Sequence, residues 1–106
     1  MDCPIASVLI LCEFSSLNGG ERSLLSVLPH LATQGIEATV ACPPGGDLAL
    51  SLEELDIPIV PFQVRDQQGQ RLAPEAIQLS LKSLIHGTSP AAVHANSLSM
   101  ARILGS

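Results

Sequence analysis

The sequence has few aromatic and few basic residues. It contains no Trp and no Tyr, and its two Phe are Phe14 and Phe62. Bases and sugars are often held by stacking on aromatic rings, so this composition argues against a free-standing lectin or a binder of single-stranded nucleic acid. Phosphate backbones are bound mainly through Lys and Arg, and the five such residues here are scattered in a chain of net charge -5. We therefore expect no nucleic-acid partner.

Cysteines and long hydrophobic runs are also scarce. Cys3, Cys12 and Cys42 form no CxxC pair and cannot all be joined within one chain, so we expect neither a disulfide scaffold nor a metal site, and we expect Cys12 and Cys42 to be plain buried thiols. The apolar run near the start, about seven residues long, is too short to span a bilayer, and it follows an acid instead of the cations of a signal peptide. A cytoplasmic protein is expected, whose intact form could associate peripherally with a membrane.

Apolar runs alternate with segments of helical periodicity along the whole chain. The predicted strands are 6–12, 36–42, 57–62 and 91–94; one predicted helix starts at Glu21, one is capped by Asp47, one starts at Pro74, and a last one follows Ser97. This alternation predicts an α/β fold, a Rossmann-like parallel sheet in the order 3-2-1-4 with flanking helices. Such sheets normally continue beyond a fourth strand, so we expect residues 1–106 to be one truncated lobe of a longer protein.

Three local features carry expectations of their own. Gly35 should end the first helix in a left-handed cap, and Pro29 should bend that helix because it removes a backbone hydrogen bond. The polar stretch 63–73 is typical of a mobile segment between a strand and a helix.

Two segments should meet at the carboxyl ends of strands one and four, where the strand order reverses and ligands bind in open parallel sheets. Gly19 and Gly20 open a helix, where free backbone N–H groups and the helix dipole attract an anion such as a phosphate. A flexible turn is the alternative interpretation, since neither GxGxxG nor GK[ST] is present. Glu21 follows in the same loop, and Arg22 would either contact a phosphate or acceptor group or remain solvated.

The second segment contains His94, Asn96 and Ser97. His94 is placed at the carboxyl end of strand four, where it could contact a sugar or simply bond neighbouring backbone. Asn96 and Ser97 are typical helix caps, and a cap can also face a ligand.

Three stretches resemble the amino-terminal domain of the family-4 glycosyltransferases, retaining enzymes of GT-B architecture with two facing Rossmann-like lobes. They are NGGERSLLSVLPHLATQGIEATVACPPGG (18–46), LDIPIVPF (55–62) and VHANSLSMAR (93–102). The resemblance implies a hexosyltransferase that moves sugar from a nucleotide-diphosphate sugar to an acceptor without a cofactor. It places Gly19 and Gly20 near the donor diphosphate, the acceptor on this lobe, and the donor-binding residues on an absent carboxyl-terminal lobe.

The resemblance also bears on the catalytic residue. Many members have a His-x-His pattern after strand four, where this chain has His94 and then Asn96. Either residue could therefore take the catalytic-histidine position.

Other functions remain open on the sequence alone. A lobe of a nucleotide-sugar epimerase shares the two-lobed architecture, and a non-catalytic α/β binding or signalling module is a further alternative. A phosphorylated signalling module would require clustered acids after strand one, where Glu13 stands alone, and an Asp at the end of strand three, where Phe62 stands. We expect the isolated chain to transfer no sugar and to self-associate through the free edge of strand four.

Overall fold

The structure, a computed structural model, describes residues 6–96 and Met100. Strands and helices alternate throughout. They are β1 (Ala6–Leu11), α1 (Gly19–Thr33), β2 (Ile36–Cys42), α2 (Asp47–Glu54), β3 (Ile59–Pro61), α3 (Pro74–Thr88) and β4 (Ala92–Ala95). The helix expected after Ser97 lies outside the described residues. Within the described part of the chain, no helix combines the length and the apolar character needed to span a membrane.

The four strands form one parallel sheet in the order β3-β2-β1-β4. Residues 6–11 of β1 pair with residues 36–41 of β2, and residues 8–11 pair with residues 92–95 of β4. The predicted α/β fold, strand order and parallel pairing are confirmed. Among the described residues, β4 has a strand partner on one edge only.

Helices cover both faces of the sheet, and successive residues of β1 contribute to two hydrophobic cores. Buried residues of the first core are Leu9, Leu11, Ala41, Phe62, Val64, Ile77, Leu81 and Met100. Those of the second core are Ile10, Cys12, Leu24, Leu28, Ala38, Val40, Cys42, Leu48 and Leu52. The α3 helix thus covers one face, whereas α1 and α2 cover the other. Each fully buried aliphatic side chain stabilises the fold by about 1.5–3 kcal/mol.

Several element ends differ from the sequence prediction. α1 starts two residues before Glu21, because Asn18 takes the extended conformation of an N-cap and its backbone N–H donates to the Glu21 carboxylate at 3.1 Å. Asp47 is the first residue of α2 rather than its cap. α1 continues through Pro29, which lies on its exposed side, and Gly35 follows with φ of 79°, as the predicted left-handed cap requires.

Within the polar stretch 63–73, residues 64–72 form a hairpin in which Arg65 pairs with Arg71. Val64 is buried, and its carbonyl accepts from the Leu72 N–H at 2.8 Å. Asp66 Oδ1 accepts from the backbone N–H groups of Gln68 and Gln70, both at 2.9 Å, which defines the turn. The polar composition indicated a segment without regular structure, and it did not indicate this hairpin; the mobility of the segment stays a prediction.

The loop that follows β1 packs tightly against the start of α2. The Leu48 N–H donates to the Ser15 carbonyl at 2.9 Å. A Cβ placed on Gly46 would lie 2.6 Å from the Ser15 carbonyl oxygen and 2.9 Å from its Oγ, distances at which side chains clash. Gly46 is therefore needed for this approach of two loops.

Gly46→Ala should destabilise the chain by about 1–3 kcal/mol, because the new methyl group overlaps backbone atoms that cannot rotate away. The matched control is Gly19→Ala, whose Cβ would have nothing within 4 Å and should change stability by less than about 1 kcal/mol. Urea unfolding monitored by circular dichroism measures both. Equal stability of the two variants would contradict the proposed close packing.

Candidate functional site

Gly20 and Asn96 lie in contact at the point where the strand order reverses. The Asn96 N–H donates to the Leu11 carbonyl at 2.9 Å, so it continues the pairing of β1 with β4, and its side-chain Nδ2 donates to the Gly20 carbonyl at 3.3 Å. A Cβ on Gly20 would lie 3.7 Å from the Asn96 carbonyl oxygen. The structure therefore brings together the glycine loop and the segment after β4.

Glu21 and Arg22 are both bonded to the loop that precedes α1. Glu21 is 6% exposed, and its carboxylate accepts the Asn18 N–H described above. The Arg22 Nε donates to the Leu17 carbonyl at 3.1 Å, although the side chain is exposed. A buried carboxylate in the first turn already interacts with the positive end of the helix dipole and so compensates part of it.

His94 lies inside β4 and not at its end, because the strand continues to Ala95. It is opposite Ile10 in the register, and it shares a strand face with Asn96, two residues further on. Both residues line an apolar cavity of about 490 Å³ between the sheet and α1. The cavity is otherwise lined by Ser7, Val8, Ile10, Ser23, Leu24, Val27, Leu31, Ile36 and Ala92. Ser97 lies outside the described residues.

Glu13 and Arg65 form an ion pair that the sequence did not indicate. Glu13 follows β1 and is 7% exposed, and its Oε2 accepts from Arg65 Nε at 3.2 Å and from Nη2 at 3.1 Å. Arg65 Nη1 also donates to the Gly69 carbonyl at 3.1 Å. The interaction joins the loop after β1 to the hairpin 64–72, and the separation of 52 positions between the partners explains why no local pattern predicts it.

Phe14 lies on the outer side of this ion pair. The Arg65 Cζ is 5.9 Å from the centroid of its ring, within cation–π range, and 42% of Phe14 is exposed. The only other aromatic residue, Phe62, is buried in the core.

The Cys12 thiol is buried in the second hydrophobic core, close to the Asn96 side chain. Burial raises the pKa of Cys12 from 9.0 to about 12, with additional repulsion from Cys42 and Glu21, while a hydrogen bond with the Asn96 side chain partly opposes the shift. Burial also raises the pKa of Cys42. Both residues are protonated at neutral pH and poorly nucleophilic, as expected for structural thiols. Among the described residues, no group of three or more His, Cys, Asp and Glu side chains could hold a metal ion.

Comparison with known proteins finds similarity in structure only. No protein-family model matches the chain, and no curated protein matches it in sequence. Anabaena Alr3699/HepE in complex with UDP matches 92% of this chain and 24% of its own length, at 22% identity and a TM-score of 0.66. Its complex with UDP-glucose matches over the same shares at 17% identity and a TM-score of 0.66. MurG of Acinetobacter baumannii matches 94% of this chain and 33% of its own length, at 20% identity and a TM-score of 0.66.

At these identities the likeness is one of fold. The chain has the Rossmann-like α/β fold of part of these neighbours. It spans about a quarter to a third of the length of the chains it matches. Within this fold, the Gly20–Asn96 contact occupies the edge of the sheet where open parallel sheets bind ligands.

The raised pKa of Cys12 predicts a loss of stability at alkaline pH. The thiol ionises near pH 9 in the unfolded chain and near 12 in the folded one, so its stabilising contribution is complete below pH 9 and is lost as pH rises towards 12. Urea unfolding between pH 8 and 11 should show a decline on the order of 1 kcal/mol per pH unit. Because the chain has no Tyr and a single Lys, Lys82, few other groups ionise in this range.

Cys12→Ala should flatten that pH dependence, and Cys42→Ala should flatten it less. An unchanged slope in Cys12→Ala would show that the thiol is not held in its protonated form by the fold.

Proposed function

We propose that residues 1–106 are the amino-terminal, acceptor-side lobe of a glycosyltransferase that transfers a hexose from a nucleotide-diphosphate sugar to an acceptor. The observation that carries this proposal is the Gly20–Asn96 contact at the carboxyl edge of the sheet. Solved neighbours of the same fold were crystallised with UDP and with UDP-glucose, which supports a nucleotide-sugar donor. The stretches quoted above favour the retaining, family-4 type, with donor contacts on a second lobe.

The glycine loop is proposed to serve the leaving diphosphate. Negative charge grows on the diphosphate as the sugar leaves, and Gly19 and Gly20, as the first two residues of α1, have backbone N–H groups without an acceptor inside the helix. Arg22, exposed beside them, adds a positive charge at the same edge. Glu21 acts by holding Asn18 and the start of α1, since its buried carboxylate is bonded there.

Of the two candidates for the catalytic-histidine position, the contacts favour Asn96. It lies beyond the end of β4 and is bonded to the glycine loop, whereas His94 lies two residues earlier, within β4, and has no such bond to that loop among the described residues. We propose that Asn96 faces the reacting sugar and that His94 supports it from the strand. Ser97 retains its proposed place in the substrate-binding segment, outside the described residues.

In the longer protein, Gly20→Val should lower sugar transfer by about 100-fold or more, because a branched side chain at this position obstructs the approach of phosphate to the backbone. Stability should change by less than about 1–2 kcal/mol, since its Cβ meets only van der Waals contacts with Asn96. Sugar transfer from UDP-glucose is measured as the release of UDP, and stability is measured by unfolding in urea. The isolated chain should transfer no sugar, because half of the cleft cannot align donor with acceptor.

Gly87→Val is the control, since a Cβ there meets nothing within 4 Å and the residue lies in α3, away from the loop. In the same assay, Asn96→Ala should lower turnover more than His94→Ala. Normal turnover of Gly20→Val would contradict the proposal. Epimerisation of the UDP-sugar without transfer would identify a nucleotide-sugar epimerase instead.

We also propose that the isolated chain self-associates through β4. Its outer edge has no strand partner among the described residues, and Ala92 on it is exposed. Unpaired strand edges favour pairing with another chain. Light scattering should show concentration-dependent association of the wild type, and Ala92→Lys should abolish it by placing a charge on the edge. A strict monomer at high concentration would argue against this proposal.

A further inference from the structure

Phe14 presents an aromatic surface at the edge of the sheet where the proposed transferase site lies. A single exposed apolar side chain is ordinary in proteins and is not evidence of a site by itself. Phe14 differs because Arg65 lies over its ring and is itself fixed, so the ring has a defined neighbour and still remains 42% exposed. The protein thus holds one of its two aromatic rings in place without burying it.

Arg65 is oriented by internal partners on all three guanidinium nitrogens. Nε and Nη2 donate to Glu13, and Nη1 donates to the Gly69 carbonyl. Its charge is neutralised by a carboxylate whose side chain is 4% exposed. Arg65 therefore positions the ring and the hairpin relative to each other and does not form an anion site.

The tip of the hairpin 64–72 supplies neutral polar groups beside the ring. Gly69 is bonded to the same guanidinium that lies over Phe14, so tip and ring are neighbours. Gln67, Gln68 and Gln70 are exposed on this tip. Each glutamine amide can both donate and accept hydrogen bonds, as sugar hydroxyls do, and the hydrogen bonds of Asp66 hold the backbone of the tip in one shape.

We infer that Phe14 and the hairpin tip, which together form the ring-and-tip surface, bind a neutral sugar residue of the acceptor. The C–H face of a pyranose packs on the negative face of an aromatic ring, and its hydroxyls pair with the glutamine amides. Arg65, the cation that lies over the ring, is neutralised by Glu13 and does not attract a phosphate to the ring. The identification of this sugar as the acceptor rests on the proposed function; the binding of sugar does not.

The test is a titration of the isotopically labelled 106-residue chain, followed by NMR, with maltose, cellobiose, N-acetylglucosamine and uridine as separate probes up to ~100 mM. This range exceeds the millimolar dissociation constants of weak ligands. At least one sugar should shift the amide signals of residues 13–15 and 64–72. Phe14→Ala should raise its dissociation constant about 10-fold or more, and Phe14→Leu should do the same, because it keeps an apolar side chain and removes the ring.

Leu79→Ala is the matched control, since Leu79 is 70% exposed on α3 and its loss should leave the affinity unchanged. Three results would each overturn the inference: no shift with any sugar, shifts that persist in both Phe14 variants, or binding of uridine in place of sugars. The amide spectrum of each variant shows whether it is folded, and because Phe14 is not part of either hydrophobic core, both variants should keep the wild-type dispersion.

The proposed function and the sugar-binding surface can be disproved independently of each other. The proposed function is tested by transfer from UDP-glucose in the longer protein. If sugars shift the amide signals but the longer protein transfers no sugar, the ring-and-tip surface is supported as a sugar site and the proposed transferase function is contradicted. If the longer protein transfers sugar equally well with Phe14→Ala, and no sugar shifts the amide signals, the transferase function is supported and the ring-and-tip surface is contradicted.

Discussion

The burial of β1 on both faces is the constraint on which the rest of the structure depends. Leu9, Ile10, Leu11 and Cys12 are each at most 2% exposed, and they contribute alternately to the two cores. A strand so placed must have hydrogen-bonded neighbours on both edges, because its polar backbone is out of contact with water. The carboxyl end of β1 is consequently fixed, and with it the start of the polar loop that leads to α1.

That loop is held at both ends and in the middle. Glu13 at its start is bonded to Arg65, Ser15 accepts the Leu48 N–H, and Glu21 after its end accepts the Asn18 N–H. Two of the ten acidic residues are thereby buried, and each has a partner. Burying a carboxylate is unfavourable unless it is bonded. The loop conformation that buries Glu13 and Glu21 is therefore stable only because it also brings each carboxylate to its hydrogen-bond partner. A loop ordered in advance loses little entropy when a ligand binds.

The sequence predicted the features that depend on local pattern. It did not predict those that depend on contacts between residues far apart in the chain. Apolar runs and the crossover rule were sufficient for the strand order, and Gly35 indicated the end of α1. The hairpin 64–72 was not predicted, because its polar composition does not show that Val64 would be buried or that Arg65 would find Glu13. His94 was placed at the end of strand four, whereas β4 continues for one more residue, to Ala95.

The low identity to the structural neighbours bears on which features of the site are functional. At 17–22% identity the likeness lies in the course of the backbone, and in this chain that backbone brings the loop after β1 and the segment after β4 together at the edge of the sheet. Backbone N–H groups supply an anion site without any particular side chain, so this part of the site can persist while the sequence diverges. Specificity for a substrate must then come from the side chains around it. Here Glu13 is neutralised by Arg65, whereas Glu21 is bonded only to a backbone N–H and keeps its charge, so the exposed Arg22 is the side chain at this edge that favours an anion.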